Sequence, residues 1–181
     1  MANIKENINK YREELPEEVC LVAVSKTKPN EDLLEAYEAG QRVFGENKIQ
    51  EMTDKYEALP KDIEWHMIGH VQSNKVKYMA SYVHWIHAVH KLKLLKEINK
   101  RAKEHDRVIE CLLQVKIAEE DTKYGMDAIE VDHILASEAY QQMENVKVVG
   151  LMGMATLTED ESQIGQEFAF LKKKYDEVAA N

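Results

Sequence analysis

The chain has 181 residues, of which 44% are apolar and 31% charged, and it carries a net charge of −9 at pH 7. No apolar run approaches the length of about 18 residues that a membrane-spanning helix requires, so the composition is that of a globular protein of one domain. The acidic balance argues against a surface that holds DNA or RNA, although a local pocket can still bind one small anion.

Cysteine usage and the N-terminus both point to a reducing compartment. Cys20 and Cys111 lie in apolar runs and are predicted to be buried thiols in strands. The first residues have no apolar core of the kind found in signal peptides. We therefore expect a cytoplasmic protein.

Helices and strands alternate along the chain. Apolar residues at helical spacing predict a first helix that is closed by Pro16. The nearly continuous apolar run from Val19 to Val24 predicts a strand that is buried on both faces. Five further apolar runs predict strands at 42–45, 63–68, 82–89, 108–115 and 146–152. The apolar stripes of the intervening helices lie within 33–40, 49–59, 74–81, 92–102, 127–135 and 164–178.

This alternation predicts parallel strands joined by right-handed crossovers. Two architectures have such connections: an open doubly wound sheet and a (β/α)8 barrel. The glycine-rich signatures of dinucleotide-binding and P-loop proteins are absent from the sequence. In both architectures the functional residues follow the carboxyl ends of the strands.

Lys26 is the most informative residue at a strand end. Partial withdrawal from water would lower the pKa of its ammonium group, and a neutral amine can attack an aldehyde to form a Schiff base. The alternative is a lysine that only extends from the strand end into solvent. Lys28 is a rival nucleophile, but Pro29 places it in the following loop.

Two other chemistries receive less support. His84, His87 and His90 are evenly spaced, but the alternation of a strand places His87 on the opposite face, so they cannot close on one metal ion. Glycosidase chemistry requires two carboxylates that face each other. Glu46 lies at a strand end, and the sequence identifies no partner for it.

Five motifs, in this order along the chain, resemble the YggS-like pyridoxal phosphate (PLP) homeostasis proteins. They are VAVSKTKP (22–29), GQRVFGEN (40–47), IEWHMIGHVQSNK (63–75), EEDTKYGM (119–126) and VGLMGMA (149–155). The resemblance implies one PLP-binding barrel domain over residues 1–181, of the (β/α)8 TIM-barrel type and similar to the N-terminal domain of alanine racemase. It has about six βα units and an extra N-terminal helix. Two C-terminal motifs that form the family's phosphate site are absent, which implies an incomplete barrel.

The resemblance also implies a cofactor site. Lys26 would hold pyridoxal 5′-phosphate as a Schiff base. Asn47 and His66 would line the pocket and Met152 would lie near it, although a core position for His66 remains an alternative. Lys123 matches a further family lysine whose role stays open.

Three functions remain open: a PLP homeostasis protein, a PLP-dependent racemase or lyase, and an interaction module that no longer binds the cofactor. The resemblance favours the first, because the family has no established reaction and no acid or base opposite Lys26 is evident. The expected partners are the cofactor and PLP-dependent apoenzymes, with neither nucleic acid nor a membrane. Open barrel edges also favour self-association.

Overall fold

The computed structural model describes residues 3–119 and 125–180, and Lys123 lies outside them. The strands are β1 (Ala23–Val24), β2 (Val43–Glu46), β3 (Glu64–Met67), β4 (Trp85–Val89), β5 (Ile109–Gln114) and β6 (Val146–Met152). The α-helices are α1 (Ile4–Glu14), α2 (Asn30–Glu38), α3 (Ile49–Ala58), α4 (Leu92–Lys103), α5 (Ala128–Ala136), α6 (Glu138–Gln141) and α7 (Glu161–Ala179). A 3₁₀ helix spans Ser73–Tyr78.

The order of the strands decides between the two candidate architectures. All neighbouring strands are parallel, and their order in the sheet is β1-β2-β3-β4-β5-β6. A doubly wound sheet reverses its strand order at a switch point, whereas a barrel adds each strand beside the previous one. The winding is therefore of the barrel type, as the motifs implied. In the part of the chain that the structure describes, β1 and β6 do not pair with each other, so the barrel is open.

The two faces of the sheet differ in burial. Phe44 and Trp65 are aligned neighbours on one face, and they are 1% and 0% exposed. We call this the outer face, because Glu46 on the same side of β2 bonds to Lys55 of α3. The opposite, inner face carries Trp85 and other half-buried residues of β4 and β5. The inner face is less uniformly buried, although His66 of β3 and Gln114 of β5 are each 4% exposed there.

The first strand is shorter and more exposed than predicted. β1 contains only two residues, and Val19 and Val24 are 45% and 54% exposed. Cys20 is also exposed, contrary to prediction, whereas Cys111 is buried in β5 as predicted. The reason is that β1 lies at the edge of the sheet and, within residues 3–119 and 125–180, pairs with β2 alone. An edge strand receives cover from only one neighbour, whatever its apolar content.

Local signals placed most helices correctly. The carboxylate of Glu130 accepts the N–H of Asp127 at 3.1 Å, as expected for the predicted capping interaction at the start of α5. The segment predicted as a helix over 74–81 is instead the short 3₁₀ helix. Its turns close through Val76, whose carbonyl oxygen accepts the N–H groups of both Met79 and Ala80 at 3.1 Å. Across the described residues, no helix is both long and apolar enough to span a membrane.

Candidate cofactor site

Lys26 lies two residues beyond the end of β1, and its side chain is exposed. The N–H of Ser25 donates to the carbonyl oxygen of Gly45 at 3.0 Å, which extends the pairing with β2 by one residue. The predicted withdrawal of Lys26 from water is therefore wrong in this structure. The edge position of β1 is the cause, since no second strand of the described part of the chain lies beside the end of β1.

The turn that follows Lys26 has an uncommon backbone conformation. Thr27 has a φ of +64°, in the left-handed region that β-branched residues rarely adopt. Its N–H donates to Oε1 of Glu51 in α3 at 2.6 Å. The N–H of Lys28 donates to the carbonyl oxygen of Ser25 at 3.1 Å and closes the turn.

A buried ionic network lies behind this turn. Nζ of Lys55 donates to the carbonyl oxygen of Ser25 at 2.7 Å, to Oε1 of Glu46 at 2.7 Å and to Oε1 of Glu51 at 2.8 Å. The hydroxyl of Ser25 donates to Oε1 of Glu46 at 2.6 Å. The hydrogen bond from Lys55, together with the one from the N–H of Thr27, lowers the pKa of Glu51 against the opposing effect of burial. Glu46, for which the sequence identified no second carboxylate, is thus paired with the ammonium group of Lys55.

Asn47 directly follows β2 and is half-buried at the same end of the sheet. It lies against the chain that leaves β3. A Cβ atom on Gly69 would sit 2.3 Å from the carbonyl oxygen of Asn47 and 2.8 Å from its Cα. Only a glycine permits this approach, so Gly69 fixes the position of the Asn47 backbone.

His66 lies on the inner face of β3, aligned with Gly45 on one side and Trp85 on the other. Its ring stacks on Trp85 with centroids 5.4 Å apart and an interplanar angle of 1°. Its Nδ1 shares a hydrogen bond of 2.9 Å with Nε2 of His87. Sequence reasoning missed this partner. Side chains alternate between the two faces of a strand, and this alternation in the adjacent parallel strands β3 and β4 could have suggested the contact.

Both imidazoles of this pair are kept neutral. Burial, followed by the neighbouring His87 and His84, lowers the pKa of His66 from 6.5 to about 3. Burial lowers the pKa of His87 to about 4. His66 therefore presents an uncharged ring on the inner face at neutral pH.

Because the imidazoles of His66 and His87 are neutral in the folded protein, we expect the protein to lose stability in mild acid. Below pH 6.5 the unfolded chain binds protons at both imidazoles, while the folded chain binds them only near pH 3 and 4. The free energy of unfolding should therefore fall as the pH decreases from 6.5 to 5, by about 1.5 kcal/mol for each imidazole and about 3 kcal/mol for the pair. Urea denaturation across this range measures it. His87→Gln should flatten the profile, whereas exposed His105→Gln should not; equal profiles for both variants would contradict the prediction.

Met152 ends β6, where it is aligned with Gln114 of β5 and half-buried. The structure thus brings Lys26, Asn47 and His66 to the carboxyl ends of three adjacent strands, β1 to β3. Met152 lies at the same end of the last strand in the sheet order. All four side chains belong to the end of the sheet at which barrel proteins carry their functional residues.

Comparison with known proteins identifies the family. Residues 1–180 match the family model described as alanine racemase, N-terminal domain. The pyridoxal phosphate homeostasis protein of Aquifex aeolicus is 38% identical over 159 residues, which cover 87% of this chain and 69% of that protein. The Escherichia coli K12 protein of the same name is 33% identical, over 90% of this chain and 74% of the other.

Solved structures agree with this result. PipY of Synechococcus elongatus, solved without PLP, superimposes with a TM-score of 0.90 at 34% identity and covers 97% of this chain and 81% of its own. An alanine racemase of Clostridium difficile has a TM-score of 0.78 at 14% identity, covering 100% of this chain and 49% of its own, and shows the shared fold alone. The chain belongs to the family of pyridoxal phosphate homeostasis proteins, whose fold is that of the alanine racemase N-terminal domain.

Proposed function

We propose that this protein binds PLP through a Schiff base on Lys26 and serves in PLP homeostasis. The observation that carries the proposal is the exposed amine of Lys26 at the carboxyl end of the first strand of a barrel-type sheet. The chain is 34% identical to PipY over 97% of its length, and a structure of PipY is described as having PLP bound. The names of the curated relatives point to the same role.

The described side chains fit the flat aromatic aldehyde of PLP. The stacked rings of His66 and Trp85 provide aromatic surface on the inner face. Asn47 offers an amide donor and acceptor at the rim, and Met152 a polarisable apolar contact. His66 can hydrogen-bond without adding a charge, because its ring is neutral. When bound, PLP supplies an electron-withdrawing ring, while these residues bind and orient it.

A homeostasis role also requires that bound PLP can leave again. Formation of the linkage joins the Lys26 nitrogen to the aldehyde carbon and releases water, so water reverses it. Because Lys26 is exposed, water and an incoming lysine can both reach the linkage. We therefore propose PLP-dependent apoenzymes as recipients of the cofactor.

Covalent mapping tests the proposal directly. The purified protein is mixed with PLP, its visible spectrum recorded, the mixture reduced with borohydride and the modified peptide sequenced. We expect an imine absorbance band and modification at Lys26. Modification at Lys28 or Lys123 with Lys26 unmodified would contradict the assignment, as would the absence of any modified peptide.

We further propose that the 181-residue chain self-associates through the two edge strands of its sheet, β1 and β6. Among the described residues, β1 pairs only with β2, and β6 only with β5. Unpaired backbone groups at a strand edge bind other strands, and Val24 in β1 adds apolar surface that is 54% exposed. Sedimentation velocity at increasing concentration is expected to show dimers or larger species. A monomer at every concentration would contradict this proposal.

A further inference from the structure

Both neighbours of Lys26 in the chain are held by side chains of α3. The carbonyl oxygen of Ser25 accepts from Nζ of Lys55 at 2.7 Å. The N–H of Thr27 donates to Oε1 of Glu51 at 2.6 Å. The side chain of Lys26 itself is exposed. The backbone before and after Lys26 is therefore fixed, while its amine is left accessible.

The hydrogen bond from Thr27 holds a strained conformation. A β-branched residue at a φ of +64° persists only where its surroundings compensate for the strain. Without Glu51, rotation of the peptide between Lys26 and Thr27 would relieve that strain. Such a rotation would turn the Lys26 side chain away from its present direction.

Burial of the ionic network around Lys55 is not expected to stabilise the fold. The side chains of Lys55 and Glu46 are only 6% and 0% exposed, and removing such charges from water is costly. Oε2 of Glu46 is buried and has no hydrogen-bond partner among the described residues. A buried ion pair is better supported as a device that specifies one conformation than as a source of stability.

We propose that Glu51, Lys55 and Glu46, here named the α3 clamp, are positioning residues that set the direction of the Lys26 amine toward the cofactor. The clamp rests on the proposed function, because it requires Lys26 to be the lysine that binds PLP. Glu51 acts on the turn after Lys26. Lys55, itself held by Glu46, acts on the residue before it.

Glu51 offers the cleanest test, because its side chain is 26% exposed and its replacement should leave the protein folded. The test variants are Glu51→Ala and Glu51→Gln. Glu97→Ala is the matched control: Glu97 pairs with Arg101 four residues later at 2.7 Å on α4, and its side chain is 24% exposed. For each variant, the thermal midpoint, PLP affinity, rate of imine formation and sites of borohydride labelling are measured.

We expect Glu51→Ala to weaken PLP binding about tenfold and to slow imine formation, with less labelling of Lys26 at a given PLP concentration. Glu51→Gln should have a smaller effect, because its amide oxygen can still accept the N–H of Thr27. Glu97→Ala should bind and label as the wild type does, even where its thermal midpoint falls as far as that of Glu51→Ala.

Two results would overturn the clamp: wild-type affinity and labelling in Glu51→Ala, or an equal loss of binding in Glu97→Ala at equal loss of stability. In either case, labelling at Lys26 in the wild type would leave the proposed function standing. Absence of that labelling would contradict the proposed function itself, so the two failures are distinguishable.

Discussion

Replacing Lys26 with alanine is expected to abolish the imine absorbance band and all borohydride labelling of the PLP site. The reason is chemical: the linkage needs a primary amine, and the proposed function assigns that role to Lys26 at the carboxyl end of β1. Loss should be complete rather than partial, because alanine offers no nucleophile. Spectroscopy after PLP addition and peptide mapping after reduction measure the effect.

The same replacement should leave the fold intact. Lys26 is exposed, and exposed substitutions away from caps and networks change the free energy of unfolding by less than about 0.5 kcal/mol. Lys28→Ala, two residues further on and also exposed, is the matched control and should retain the band and the labelling. If Lys26→Ala kept a full imine band while Lys28→Ala lost it, the roles of the two lysines would be reversed.

The architecture could be predicted from the sequence because each βα unit carries its own local signals. Apolar runs, helical stripes and the Asp127–Glu130 spacing are properties of neighbouring residues, and they gave six parallel strands. The choice of a barrel over a doubly wound sheet could not be made this way. Strand order depends on which distant runs pair, so it required either the five motifs or the structure.

The surroundings of the site were harder to predict than its position. The exposure of Lys26 depends on β1 being an edge strand, which no property of residues 19–26 reveals. Half of the network was visible in the sequence, since Glu51 and Lys55 are four residues apart on a predicted helix. That Glu46 of a strand reaches Lys55 of a helix depends on packing between elements. The same holds for the pairing of His66 with His87, which depends on strand register.

Alanine at Gly69 is expected to cause the largest loss of stability among single substitutions near the site. The added Cβ would lie 2.3 Å from the carbonyl oxygen of Asn47, a contact with backbone that no side-chain rotation can relieve. The ends of β2 and β3 must then separate. We expect a loss of about 3 kcal/mol or more in the free energy of unfolding, at the upper end of the cost of overpacking. Asn47 should move with the backbone, so PLP binding should weaken in the fraction that folds.

Gly165→Ala provides a matched control with the opposite expected sign. Gly165 lies within α7, and a Cβ atom there meets nothing within 4 Å. Alanine in an open helical position should therefore raise the free energy of unfolding by about 0.5–1 kcal/mol. Urea denaturation of both variants, with PLP titration of each, measures the contrast. Equal free energies of unfolding for the two variants would show that the contact between Gly69 and Asn47 does not constrain the ends of β2 and β3. If Gly69→Ala were destabilised but bound PLP with wild-type affinity, the position of Asn47 would not matter for cofactor binding.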